Sequence, residues 1–131
     1  MSMFRVNIVA VNLKDESLET PPIEAVVDTG SELTWLPREL LDAADIVPRI
    51  ERTFVGPDGS RHTREVGYTV LKVDEHETID EVVFCEPGDM TLLGVRTIEG
   101  FGVMVDNIGH RLVARSHIAA SYRLIDDEHT A

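Results

Sequence analysis

Residues 25–31, Ala-Val-Val-Asp-Thr-Gly-Ser, are the most informative stretch of this 131-residue chain. Two β-branched apolar residues run directly into Asp28, so an apolar strand delivers a carboxylate onto a loop that contains glycine. A carboxylate in such a place needs hydrogen bonds to stay charged. Thr29 offers a hydroxyl for such a network, and Gly30 lets another backbone or a substrate approach closely. The alternative interpretation is an ordinary turn, because Asp, Gly and Ser are common turn residues.

The overall composition excludes several classes of protein. The chain has 24 acidic and 12 basic residues and a formal net charge of −12. No basic stripe is available for phosphate contacts, and an anionic membrane surface would repel the chain. No apolar run approaches the roughly 20 residues needed to cross a bilayer. We therefore expect a soluble protein with no nucleic-acid or membrane partner, and the single Cys85 favours a reducing, cytoplasmic location.

Short strands recur along the whole chain, and the predicted class is mainly β with one or two short helices. Pro37 suits the first turn of a helix, and residues 38–44 are mostly good helix formers that end before Pro48. Residues 96–101 favour a further helical turn or two, residues 74–80 an acidic loop, and residues 114–124 either strand or helix. The predicted strands are residues 4–11, 23–27, 33–36, 50–55, 61–73, 81–85, 90–94, 103–106 and 111–113.

Several segments carry a recognisable pattern when they are taken in order. They are Val-Val-Asp-Thr-Gly-Ser at 26–31, Leu36-Pro37 with the short helix, the glycine-bearing turn at 56–60, Leu92-Leu93-Gly94, and the segments 103–106 and 109–113. This arrangement resembles the retropepsin-like family of aspartic proteases. In that family the first segment is the active-site motif, the turn at 56–60 lies in the flap, and an apolar-apolar-glycine element lies near the C-terminus. The resemblance covers residues 4–113 and leaves 114–131 as an extension.

The resemblance implies a single domain over residues 1–131, a closed β-barrel or sandwich that acts as a homodimer. It implies no metal and no cofactor. The catalytic loop would contain Asp28, Thr29 and Gly30, with support from Ser31, Leu93 and Gly94. The flap that covers the substrate would contain Gly56, Pro57, Asp58, Gly59 and Ser60.

A single Asp-Thr-Gly motif per chain has a mechanistic consequence. This chemistry needs two carboxylates that share a proton around one water. A second copy related by a two-fold axis would supply the other Asp28. One Asp28 would then act as general base on the water, and the other would protonate the peptide carbonyl. The predicted activity is cleavage of a polypeptide, and the alternative is an inactive dimer of the same fold that binds peptides or mediates assembly.

Two expectations concern residues that flank the motif. The Ser31 hydroxyl is expected to donate to the outer oxygen of Asp28, which would favour the ionised form and give a more acidic pH optimum than that of a Ser31→Ala variant. Many retroviral members place an aspartate two positions after the motif glycine, and an arginine directly after the second glycine. Here those positions hold Glu32 and Val95, with an arginine one step later, so Glu32 and Arg96 are a possible ion pair at the site or the dimer interface.

Other conspicuous residues are interpreted as structural. Trp35 is expected in the core or a dimer interface, with the substrate wall as the less favoured alternative. Cys85 is expected to be a core residue and not a nucleophile. His76 is assigned to a solvated acidic turn, because no metal-ligand spacing surrounds it. Gly56 and Gly67 are candidate bulges or flap hinges.

Overall fold

The computed structural model describes residues 4–115 and the backbone of residues 117–119 and 122–124. Strands dominate this part of the chain, as predicted. The strands are β1 (Arg5–Val11), β2 (Ile23–Val27), β3 (Thr34–Pro37), β4 (Ile50–Val55), β5 (Arg61–Val73), β6 (His76–Cys85), β7 (Leu92–Leu93), β8 (Val103–Asp106), β9 (Arg111–Ala114), β10 (His117–Ala119) and β11 (Tyr122–Leu124). The helices are α1 (Arg38–Ala43) and α2 (Val95–Gly100).

The central feature is a mixed sheet of seven strands in the order β1-β2-β7-β3-β6-β5-β4. Strand β1 also pairs with β5, so six of the strands form a closed cycle of pairings and β4 extends the sheet beyond β5. Strand β7 runs parallel to β2 but antiparallel to β3. The end of β2, which leads into Asp28, therefore lies beside the end of β7, which leads into Gly94.

Both predicted helices and both predicted hairpins are confirmed. Helix α1 follows directly on Pro37, and α2 follows directly on Gly94. Strands β4 and β5 pair from Ile50↔Val66 to Val55↔Arg61, and β8 pairs with β9. The segment 114–124, which the sequence left open, contains β10 and β11 where its backbone is described. No helix in the described ranges is long and apolar enough to span a membrane.

The acidic loop predicted for residues 74–80 is wrong. Strand β6 already begins at His76, and the pairing Val73↔His76 leaves only Asp74 and Glu75 in the turn. Asp74 has φ of 53°, a left-handed conformation that aspartate tolerates. The acidic residues were misleading because a strand also accommodates them: Glu77 is exposed, and the Asp80 side chain is paired with Arg96. Strand β7 is also shorter than predicted, with two residues.

The main core is a cluster of buried side chains from six strands of the sheet, from β8 and from both helices. Its fully buried members come from several strands and from α1, and the largest are Phe84, Ile8, Leu36, Leu41, Leu71 and Leu93. A second, smaller cluster contains Leu33, Val66 and Val83, with Trp35 and Phe54 packed against it. The second cluster lies beside the loop that contains Asp28, because Leu33 belongs to that loop. Burial therefore fixes the strand ends from which the candidate site is built.

Candidate active site

Asp28 is half-buried at the point where β2 ends. Its main-chain N–H donates to the carbonyl of Leu93 at 3.0 Å, which joins the loop to β7. The N–H of Gly30 donates to Oδ1 of the Asp28 carboxylate at 2.9 Å. Oδ2 has no hydrogen-bond partner among the described residues. One carboxylate oxygen is thus held by the backbone, and the other is free to bind a water or a substrate.

The loop is braced along its length by the segment that follows β7. The N–H of Val95 donates to the carbonyl of Ser31 at 2.8 Å, and the N–H of Arg96 donates to that of Glu32 at 3.1 Å. Gly94 lies so close to Leu33 that a Cβ atom at position 94 would be 2.2 Å from the Leu33 carbonyl oxygen. Only glycine fits at such a distance. The structure therefore brings the predicted supporting residues against the Asp28 loop.

The hydrogen bond predicted from Ser31 to Asp28 is wrong. The Ser31 hydroxyl donates to the carbonyl of Leu33 at 2.8 Å. Because a hydroxyl has one hydrogen, this bond leaves none for the Asp28 carboxylate. The backbone N–H of Gly30 is the donor to Asp28 instead. Ser31 thus stabilises the course of the loop and does not support the charge of Asp28.

The candidate pair of Glu32 and Arg96 does not form within the part of the chain that the structure describes. The Arg96 guanidinium lies 3.7 Å from Asp80 and 3.1 Å from Glu81. Its contact with Glu32 is made through the main chain. An ion pair between Glu32 of one copy and Arg96 of another stays a prediction.

A cavity of about 410 Å³ opens above the Asp28 carboxylate. One side is the Asp28 loop, with Asp28 and Gly30, and the other side is the part of the β4–β5 hairpin near its tip, with Phe54 and Pro57. Trp35 and Leu92 form an apolar part of the wall. A second cavity of about 350 Å³ continues along the hairpin past Met90, His62 and Asp89. The two cavities share wall residues, so together they form an extended groove.

Trp35 lies in this wall and packs at the same time on the second core cluster. Its ring is 5.0 Å from that of Phe54 and tilted by 57°. The prediction that Trp35 packs in the core is confirmed by its contact with this cluster, and its role in a substrate wall stays a prediction. The sequence did not identify Phe54 as a residue of the cavity wall. Alternation along β4 indicates only that Phe54 lies on one face of a strand.

The tip of the β4–β5 hairpin is held by its own residues. The N–H of Gly56 donates to the carbonyl of Ser60 at 2.8 Å, and the N–H of Gly59 donates to that of Gly56 at 2.9 Å. The Ser60 hydroxyl donates to Asp58 Oδ1 at 2.6 Å, and with the Ser60 N–H it holds the pKa of Asp58 below its usual range. Gly59 has φ of 84°, which suits glycine. The five predicted flap residues thus form one turn, of which Pro57 also borders the cavity.

The prediction that Gly67 is a bulge is wrong, and its role as a flap hinge stays a prediction. It continues the unbroken register of β5 against β6, opposite Val82. A Cβ atom at position 67 would lie 2.7 Å from the Val47 carbonyl oxygen. Glycine is required there because the segment after α1 crosses closely over the strand.

Two other conspicuous residues, Cys85 and His76, make structural contacts. Cys85 is partly buried, its thiol donates to the Met90 carbonyl, and burial raises its pKa to about 12. A thiol in that state is a poor nucleophile. The ring of His76 is 5.9 Å from that of Phe101. Among the described residues, no group of three or more His, Cys, Asp or Glu side chains is placed to hold a metal ion.

No protein-family model matches the chain, and a search of the curated proteins finds no match.

Proposed function

We propose that the chain is an aspartic endopeptidase of the retropepsin-like type, with Asp28 as its catalytic residue. The observation that carries this proposal is the placement of Asp28. Its carboxylate is held on one oxygen by Gly30, its backbone is braced by Leu93, and it faces a groove whose opposite wall is a hairpin. This arrangement suits a reaction in which a carboxylate activates a water beside an extended peptide.

The strand pairings support a closed barrel as the scaffold. Strand β1 pairs with β2 on one side and with β5 on the other, and the cycle continues through β7, β3 and β6. Closure of this kind removes sheet edges and holds the strand ends in fixed positions. A catalytic loop at the end of β2 gains precision from such a scaffold.

The proposed active form is a homodimer. One chain contributes one Asp-Thr-Gly loop, whereas the proposed chemistry needs two carboxylates that share a proton. Thr29 and Gly30, next to Asp28, are exposed in the single chain. A second copy can therefore reach this edge of the loop along a two-fold axis. Each Asp28 would then bring its free oxygen, Oδ2, to a shared water.

The reaction follows from that pair. One Asp28 takes a proton from the water, which attacks the peptide carbonyl carbon, while the protonated Asp28 donates to the carbonyl oxygen. The tetrahedral diol collapses when the peptide nitrogen is protonated, and the C–N bond breaks to release an amine and a carboxylic acid. The substrate would lie extended below the hairpin and pair with its backbone.

The groove indicates which peptides fit. Trp35, Phe54 and Leu92 would contact apolar side chains near the cleaved bond. The net charge of −12 disfavours acidic peptides and favours neutral or basic ones. Since the chain has a single cysteine, we propose the cytoplasm as its location.

The test is cleavage of a peptide library at several pH values by the wild-type protein, Asp28→Asn and the control Asp45→Asn. Wild type and control should cleave equally, and Asp28→Asn should lose at least about 100-fold in kcat. Cleavage that survives in Asp28→Asn would overturn the assignment. Peptide binding without cleavage by the wild type would support the inactive peptide-binding dimer instead. Sedimentation that shows only monomer at the assay concentration would contradict the dimer mechanism.

A further inference from the structure

Two adjacent residues on β6, Asp80 and Glu81, have buried carboxylates. The side chains of Asp80 and Glu81 are each 8% exposed. Arg96 bridges both, at 3.7 Å from Asp80 and 3.1 Å from Glu81, and Arg52 approaches Glu81 at 2.7 Å. Two buried negative charges side by side are costly unless cations and hydrogen bonds compensate them. The groups that compensate these two carboxylates come from different parts of the proposed active site.

Asp80 is the end of a hydrogen-bond chain with a defined direction. The Thr97 hydroxyl donates to Asp80 Oδ2 at 2.9 Å. Because Thr97 has one hydroxyl hydrogen, Thr34 must be the donor in their 2.7 Å contact. The N–H of Gly94 in turn donates to the Thr34 hydroxyl at 3.0 Å. Both threonines are fully buried, so water cannot replace a missing partner.

This chain ends at the segment that supports Asp28. Gly94 follows Leu93, whose carbonyl accepts the N–H of Asp28. Gly94 also touches the backbone of Leu33, on the far side of the catalytic loop. An anchored Gly94 therefore keeps the acceptor for Asp28 in place, and Asp80 acts on Asp28 through this segment.

Glu81 makes the corresponding connection to the flap. Its partner Arg52 lies on β4, one of the two strands of the flap hairpin. The next residues on β4, Thr53 and Phe54, line the cavity above Asp28. The Glu81–Arg52 pair thus sets the position of this wall relative to β6.

We infer that Asp80 and Glu81 form a positioning pair with two separable arms, one to the catalytic loop through Thr97 and Thr34, and one to the flap through Arg52. The inference rests on the proposed endopeptidase function, because it names how that site is held. The loop arm governs the reacting carboxylate and so should affect kcat. The flap arm governs the wall that contacts the substrate and so should affect KM.

The first experiment compares Thr97→Val with Thr97→Ser, and Arg52→Leu with Arg52→Lys, in peptide cleavage. Thr97→Val should lower kcat about tenfold with little change in KM, and Thr97→Ser should restore it because the hydroxyl is kept. Arg52→Leu should raise KM about fivefold with little change in kcat, and Arg52→Lys should recover part of the loss. If Thr97→Val and Arg52→Leu change kcat and KM in the same proportions as each other, the two connections are not separable and the inference is contradicted.

The second experiment needs no activity, so it separates this inference from the proposed function. Amide hydrogen exchange is measured residue by residue in the same variants. Thr97→Val should speed exchange at Gly94 and Asp28 about tenfold and leave the β1–β2 amides unchanged. Arg52→Leu should speed exchange only in the β4–β5 pairing. Unchanged exchange at Gly94 in Thr97→Val, or equal acceleration throughout the sheet, would overturn the inference even if the protein cleaves peptides.

Discussion

The Asp28 loop and the tip of the β4–β5 hairpin, which is the predicted flap, are both short segments that contain glycine, yet they are held in opposite ways. The loop around Asp28 is bonded to Leu93, Val95 and Arg96, which lie far from it in the sequence. The flap tip, residues 56–60, is bonded to itself. A segment held by distant partners moves only when the sheet opens, whereas a locally bonded tip can shift as a unit. The comparison indicates a rigid Asp28 loop opposite a more movable hairpin tip.

The middle of the β4–β5 hairpin differs again from its tip. Arg64 on β5 makes two hydrogen bonds to Asp89, at 2.7 and 2.9 Å, and Phe54, two residues from the Arg64 partner Arg52 on β4, contacts the Trp35 ring. The ion pair is mostly buried, with 15% and 16% of the two side chains exposed. Motion of the flap should therefore be confined to the residues beyond this clamp.

The largest effect is expected at Gly94, because the backbone of the Asp28 loop leaves no space there for a side chain. Gly94→Ala would place a Cβ atom 2.2 Å from the Leu33 carbonyl oxygen, which forces the backbone apart. We expect a loss of about 3 kcal/mol in the free energy of unfolding, measured in urea. Gly67→Ala is the matched control, with a contact of 2.7 Å, and should cost less. Equal costs for the two variants would show that close approach to Leu33 is not what holds the loop.

Loss of the Arg64–Asp89 ion pair should have the next largest effect on the free energy of unfolding. The hydrogen bond from Arg64 lowers the pKa of Asp89. The stabilisation is therefore present above the unfolded pKa of about 3.9 and disappears as the pH falls through the lower folded pKa. Asp89→Asn should cost about 1–2 kcal/mol at pH 7.

The pH dependence provides the control for this prediction. Urea unfolding of wild type and Asp89→Asn is compared from pH 7 to pH 2 at one protein concentration. The difference between them should shrink on acidification below the unfolded pKa. A difference that stays constant over that range would mean that the carboxylate charge of Asp89 contributes nothing.

The flap tip should respond only to local strain. Gly59→Ala places an alanine at φ of 84°, with no atom within 4 Å of its Cβ. We expect a cost of about 1 kcal/mol, without a change in the rest of the sheet. Gly88→Ala is a matched control, because Gly88 has φ of 92° and equally open surroundings. A much larger cost at position 59 would show that the tip is packed more tightly than its local bonds indicate.

The smallest effect concerns Ser31. Because its hydroxyl donates to Leu33 and not to Asp28, Ser31→Ala should cost at most about 1 kcal/mol in stability. The pH optimum of peptide cleavage should stay where it is in the wild type. An optimum that moves upward in the variant would restore the role first expected for Ser31.

The features that were predicted correctly are determined by residues that lie close together in the sequence. The apolar strand that runs into Asp28, helix α1 after Pro37, and the turn at 56–60 each follow from residues within a few positions of one another. The errors concern choices between partners. Residues 76–80 form part of a strand because β5 is available for pairing, and within one chain Arg96 pairs with Asp80 and Glu81, not with Glu32.

Sequence alone was enough to recognise a β-rich chain with an aspartate on a glycine-containing loop, because alternation and turn propensity act between adjacent residues. The wall formed by Trp35 and Phe54, the close approach of Gly94 to Leu33, and the buried Asp80–Glu81 pair needed the folded structure. These features depend on segments that are distant along the chain, such as Leu33 with Gly94 and Glu81 with Arg52. Sheet register and burial select the residues that meet in these contacts. Register and burial depend on the whole fold, so no short stretch of sequence encodes them.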